Sequence, residues 1–282
     1  LGSFLADEDV TWSVTPDAGV QINTNGEVSL TAAAVFGTTY AFIVTATDAA
    51  SNPTTTSAFS VTVNGNPNFT VAANNVTCLC ENAAVGESGT LTINGVQKTF
   101  TKRSEAQLRA LISADQSDSQ IALTCTSGIT YTGQMFQHAN SFNQDISSWD
   151  VSNVTNMYRM FLRASKFDQN LNDWDVSSVT SMHMTFDTAS SFNGDISSWN
   201  VSNVRDMHRM FLYAPLFNQD IGSWDVSNVT NMYSMFDNSG VSTSNYEALL
   251  TGWSQQTVQP NVALVALGLT SCSGEAAIKS LL

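Results

Sequence analysis

Four ring-bearing side chains recur at one interval: Tyr158, His183, His208 and Tyr233 stand 25 residues apart. Beside them run Arg159, Met184, Arg209, Ser234; Thr155, Thr180, Arg205, Thr230; and Arg163, Thr188, Tyr213, Asn238. Aromatic and guanidinium groups bring large, partly apolar area with few rotatable bonds, which suits recognition. The candidate binding residues are therefore Tyr158, Arg159, His183, Arg205, His208, Arg209, Tyr213 and Tyr233, whose rings could lie against a sugar face. The competing reading is that they are ordinary exposed positions on a strand or turn. His183 and His208, as neighbours in successive units, could also hold a metal, but two imidazoles without a carboxylate partner make a weak site.

Carboxylates recur with the same period. Asp145, Asn170, Asp195 and Asp220 form one column, and Asp150, Asp175, Asn200 and Asp225 another. Such columns could bind Ca²⁺, yet the exchange of Asp for Asn favours turn capping, which needs an acceptor and not a charge. A catalytic carboxylate pair would be unique, whereas these repeat in every unit. No nucleophile elbow, H-E-x-x-H, P-loop or dinucleotide fingerprint occurs. The expectation is a protein that is not an enzyme and has no cofactor, Ca²⁺ apart.

The apolar residues explain the period. Phe142, Phe167, Phe192 and Phe217 align, as do Trp149, Trp174, Trp199, Trp224 and Met157, Met182, Met207, Met232. Units of this length bury their apolar faces only against their neighbours, which predicts a solenoid. "FNQDISSWDVSNVTNMYRMF", beginning at Phe142, resembles the surface-lipoprotein repeat of mycoplasmas and many Bacteroidetes, in the BspA-like class related to leucine-rich repeats. The likeness runs from about Gly128 to Asn238, with flanks resembling segments of secreted flavobacterial proteins. It implies a leucine-rich-repeat-like solenoid in a secreted or cell-surface bacterial protein with adhesive or interaction roles.

Residues 1–66 read as short β-branched strands divided by turn-rich stretches. "ADEDVTWSV", "INTNGEVSL" and "YAFIVTATDAASN" resemble a partial bacterial cadherin-like or Ig-like β-sandwich lacking its first strand. That resemblance makes Asp7, Glu8, Asp9 and Asp48 candidate Ca²⁺ ligands, against the plainer reading of solvated turn carboxylates. Residues 67–128 predict a small α+β N-terminal cap, with a hairpin turning at Asn94-Gly95 and a helix capped by Ser104 and Gln107. The repeats occupy 129–240. A helical C-terminal cap follows in 241–282, from "SNYEALLTGW", capped by Ser244, and "GEAAIKSLL". The expected fold is thus mainly β: sandwich, α+β cap, solenoid and helical cap.

The chain has 282 residues, a net charge of −14 and only ten Lys and Arg. That balance argues against nucleic acid or anionic membrane as partner, and no apolar run is long enough for a membrane span. The absence of an initiating Met and of a signal-peptide pattern reads as a mature or partial chain. Export would favour a disulfide, with Cys80 to Cys125 expected to close a small domain, although four cysteines allow three full connectivities. The expected function is a non-catalytic adhesion or ligand-binding module whose Tyr/His/Arg columns touch a glycan or an extracellular or surface protein. The alternative is a structural spacer or assembly segment that self-associates in a long surface fibre.

Overall fold

The computed structural model describes residues 2–3, 10–15, 19–30, 39–48, 50–56, 58–62 and 65–269. The chain divides into two compact units, residues 1–67 and 68–282. The first contains β1 (Gly2–Ser3), β2 (Val10–Thr15), β3 (Val20–Ile22), β4 (Glu27–Leu30), β5 (Thr39–Asp48), β6 (Pro53–Thr55) and β7 (Phe59–Thr62). Asn23 turns the chain between β3 and β4, its side-chain oxygen accepting the N–H groups of Asn25 and Glu27. One sheet has the order β1–β4–β3; in the other, β5 pairs with β2, β6 and β7. Alternation along β5 turns Phe42 and Val44 inward, where they join Val20 and Val28 in a small buried core.

The second unit opens with β8 (Thr70–Val71), β9 (Cys78–Leu79), β10 (Ser88–Ile93), β11 (Val96–Lys102), α1 (Glu105–Ala114) and β12 (Thr124–Cys125). Asn94 and Gly95 both take positive φ (52° and 76°), the geometry of a two-residue hairpin turn between β10 and β11. At the start of α1, Ser104 accepts the Gln107 N–H while Gln107 Oε1 accepts the Ser104 N–H. Leu108 and Ile112 are buried from that helix. A disulfide joins Cys80 to Cys125. Cys78 is a free, buried thiol, and burial, followed by the Asp150 charge, pushes its pKa up to about 12.

The repeats overturn the expected fold class. The described residues form four small open sheets and two helices, with no closed sheet and no sandwich. A leucine-rich-repeat-like solenoid carries a continuous parallel sheet, but here the coils share only a row of isolated bridges, Tyr131–Asn156–Ser181–Asp206–Asn231. The reason lies in the backbone. Arg159, Met184, Arg209 and Ser234 have φ of 55–57°, and Arg163, Thr188, Tyr213 and Asn238 have φ of 52–59°. Two left-handed residues per coil reverse the chain too often for a pleated strand.

The coils still stack. In the first full coil the N–H groups of Met157, Arg159, Phe161 and Arg163 donate to Ser181, His183, Thr185 and Asp187 of the next. Those of Met160, Leu162 and Ala164 close turns within the coil. Identical side chains therefore superpose. Phe136, Phe161, Phe186, Phe211 and Phe236 form one ladder with centroids 5.3–5.8 Å apart. Phe142, Phe167, Phe192 and Phe217 form a second beside it. Each Trp indole N–H satisfies a carbonyl of an earlier segment: Trp149 donates to Ile121, Trp174 to Ile146, Trp199 to Leu171 and Trp224 to Ile196.

The described C-terminal segment has one helix, α2 (Thr243–Ser254), followed by irregular chain to residue 269, not an all-helical cap. "GEAAIKSLL" lies outside the described residues. The N-cap of α2 is Ser242 and not Ser244. An inter-coil ladder decides this: Asn143, Asp168, Asn193 and Asn218 each accept, through Oδ1, the N–H of Asp168, Asn193, Asn218 and Ser242 respectively. Trp253 of α2 then adds a fifth rung to the indole series, donating to Ile221.

Trp174 is 3 % exposed and hydrogen-bonded. Trp174→Ala should cost about 3–5 kcal/mol. Trp174→Phe, which keeps a ring but removes one of the two N–H groups that the Ile146 carbonyl accepts, should cost less. Denaturant unfolding of both variants checks this, and equal stability of Trp174→Ala and the parent chain would contradict the stacking.

Candidate functional site

The ring column sits one residue before a left-handed position in every coil, and the backbone locks it in register. The N–H of Gln134 donates to the Tyr158 carbonyl, Arg159 to His183, Met184 to His208 and Arg209 to Tyr233, all at 2.8–3.0 Å. Each ring residue is also held from the other side, because its own N–H meets an oxygen of Asn156, Ser181, Asp206 or Asn231 two residues earlier. The rings touch in sequence: Tyr158 meets His183 edge-on at 5.2 Å, His183 meets His208 at 4.7 Å, and His208 meets Tyr233 at 5.9 Å. Tyr233 is 55 % exposed and the other three are half-buried.

Charged groups surround the two imidazoles. His183 Nδ1 lies 3.2 Å from Asp206 Oδ2, while Asp206 Oδ1 accepts the His208 N–H. This assigns the His183 proton to Nδ1 and leaves its Nε2 buried without a partner. Arg209 Nη2 approaches Asp187 Oδ2 at 3.0 Å, an ion pair without the angle of a hydrogen bond; Asp187 is 2 % exposed and also accepts from Thr188. The Arg159 guanidinium covers the Tyr158 ring at 4.7 Å and brings Nε to 3.3 Å from Met184 Sδ. Burial, then the neighbouring His183, holds the His208 imidazole below its ordinary pKa of 6.5, against the opposing pull of Asp206.

The structure thus brings together Tyr158, Arg159, His183, His208, Arg209 and Tyr233. Arg205 and Tyr213 are exposed, and no described side-chain contact joins them to the ring column. Of the calcium candidates, Asp7, Glu8 and Asp9 lie outside the described residues. Asp48 accepts the Asn52 N–H and Nδ2–H, bonds that hold its carboxyl below the usual range. Among the described residues no group of three or more His, Cys, Asp or Glu is placed to hold a metal. In the repeated carboxylate columns Asp145, Asp195 and Asp220 each accept an N–H two residues on, as do Asp150, Asp175 and Asp225.

Two participants do not stand out as single residues, Asp187 and Asp206. For Asp187 the signal is a longer period: the column Leu162, Asp187, Leu212, Asp237 alternates, and so does Arg159, Met184, Arg209, Ser234, whereas the Asp206 column, Asn156, Ser181, Asp206, Asn231, carries no such signal. Arg209 meets an acidic residue because alternate coils differ.

A family model described as "Mycoplasma protein of unknown function, DUF285" matches residues 107–214 and 130–253, which together span just over half of the chain and do not reach its N-terminal unit. No curated protein and no solved structure matches.

The depressed His208 pKa has a definite sign for stability. The unfolded chain takes up this proton at a higher pH than the folded one, so the contribution is fully present above 6.5. It is lost as pH falls through 6.5 towards the folded value. His208→Gln should therefore show a smaller drop in thermal midpoint between about pH 7.5 and 5.5 than the parent chain. Parallel pH profiles for the two proteins would contradict this.

Proposed function

From the premise that the chain belongs to the family described as "Mycoplasma protein of unknown function, DUF285", we propose that it is a secreted or cell-surface, non-catalytic module for adhesion or ligand binding. Its partner is a glycan or an extracellular or surface protein, met through the ring column. A surface location is supported by the surface-repeat character of the family. No helix among the described residues is long and apolar enough to cross a membrane. The non-catalytic reading is supported by the use of the repeated carboxylates as turn acceptors.

The observation that carries the reading is the ring column itself. The Phe and Trp ladders of the repeats are buried in the core, whereas Tyr158, His183, His208 and Tyr233 form a continuous ring row reaching solvent. Aromatic residues on a rigid scaffold offer contact area at low entropic cost.

The test is binding of the 282-residue chain to an array of glycans and matrix proteins, with and without Ca²⁺. A column-mediated hit should weaken more than about tenfold in the Tyr158→Ala/Tyr233→Ala variant, with thermal unfolding little changed. Binding that survives the double substitution, or no binding at all, would favour the alternative of a spacer or assembly segment in a surface fibre.

A further inference from the structure

Apart from Lys166, the described basic residues divide into two groups. Outside the repeats, those with described partners make internal contacts. Lys98 lies 3.9 Å from Asp145, Lys102 donates to the carbonyls of Cys80 and Glu81, Arg103 binds Gln120 and Thr124, and Arg109 pairs with Glu105. Inside the repeats four arginines fall on one arc of alternate coils, Arg159 and Arg163 in one and Arg205 and Arg209 two coils on. Arg209 faces the buried Asp187. No described carboxylate forms an ion pair with Arg159, Arg163 or Arg205.

The acidic residues of the same arc are all engaged. Asp187 meets Arg209 and Thr188, Asp206 is bonded by His183 and the His208 N–H, and Asp237 is 5 % exposed and accepts the Leu267 N–H. The remaining repeat carboxylates belong to other columns. In a chain of net charge −14, the arginines of the arc bordering the ring column thus outnumber its aspartates, and Arg159, Arg163 and Arg205 are left without an ion pair among the described residues.

We infer that this arc binds an acidic polysaccharide whose charges are spaced along the chain, a refinement that rests on the ligand-binding reading above. Guanidinium groups match the geometry of sugar carboxylates and sulfates, and rings of the Tyr/His column supply apolar faces for the intervening sugar. Arginine on alternate coils, with Met184 between Arg159 and Arg209 and Ser234 beyond, complements a polymer charged on every second unit better than the dense phosphate row of a nucleic acid.

Titration of the full chain with hyaluronan (carboxylate on alternate sugars), chondroitin sulfate (sulfate in addition), dextran (neutral), duplex DNA and collagen tests this. Hyaluronan or chondroitin sulfate should bind saturably and lose affinity on raising salt to about 0.5 M. Arg159→Gln/Arg163→Gln should weaken that binding about tenfold. Neither side chain forms an ion pair among the described residues, so loss of the Arg159 contacts with the Tyr158 ring and Met184 Sδ should lower the thermal midpoint only slightly. Relative affinity for the two acidic polymers distinguishes carboxylate from sulfate as the recognised group. Preference for DNA, or acidic-polymer affinity unchanged in the arginine variant, overturns the inference. Binding of dextran or collagen alone, lost in Tyr158→Ala/Tyr233→Ala, overturns it while leaving the ligand-binding reading in place; no column-dependent binding of any probe removes both.

Discussion

The second unit depends on one hydrogen bond repeated coil after coil: the N–H of a left-handed residue donating to the carbonyl of a ring residue one coil on. A non-glycine residue at φ near 56° is disfavoured by roughly 1–2 kcal/mol. Here the strain is offset by a bond onto the next coil, in series with those that Met157 and Phe161 make on either side of Arg159. Because it recurs at Gln134, Arg159, Met184 and Arg209, it sets the register in which every other column falls.

Once register is set, side chains complete it from both sides. Indole N–H groups and the Asn143–Asn218 ladder satisfy backbone atoms of neighbouring coils, while Asp and Asn acceptors two residues before each turn satisfy N–H groups within a coil. An irregular backbone can be buried only if its polar groups are paired, and the repeat achieves this with Asn, Asp, Ser and Trp instead of a ladder of strands. The Arg159 side chain meets Tyr158 and Met184 and, among the described residues, no backbone group, which is why recognition is proposed for its arc.

Part of this was legible in the sequence. The Phe, Trp and Met columns identified the core because only burial between like neighbours demands large apolar residues at a fixed interval. Asn94-Gly95 and the Ser104/Gln107 pair are local signals that no distant contact opposes. The backbone of the repeats was not legible. Arg159, Met184 and Ser234 carry no mark of a left-handed conformation, as Gly or Asn would, and the tertiary bond imposes it. A strand-lined solenoid was expected for that reason. Ser242 displaced Ser244 as cap because a distant side chain, Asn218, claims its N–H. Asp187 gains its place from the alternation of coils, a period twice the obvious one, while Asp206 stands alone in a column of Asn and Ser and is picked out only by its contacts with His183 and His208.

Amide hydrogen exchange measured residue by residue reaches the central claim most directly. The N–H groups of Arg159, Met184 and Arg209 belong to residues beside the solvent-facing ring column, yet each donates to the coil beyond. They should exchange as slowly as those of the buried Phe161, Phe186 and Phe211, through the same cooperative opening. Rapid exchange at the three positions, with the phenylalanines still protected, would show that this bond does not hold the coils in register and would leave the ring column without its scaffold.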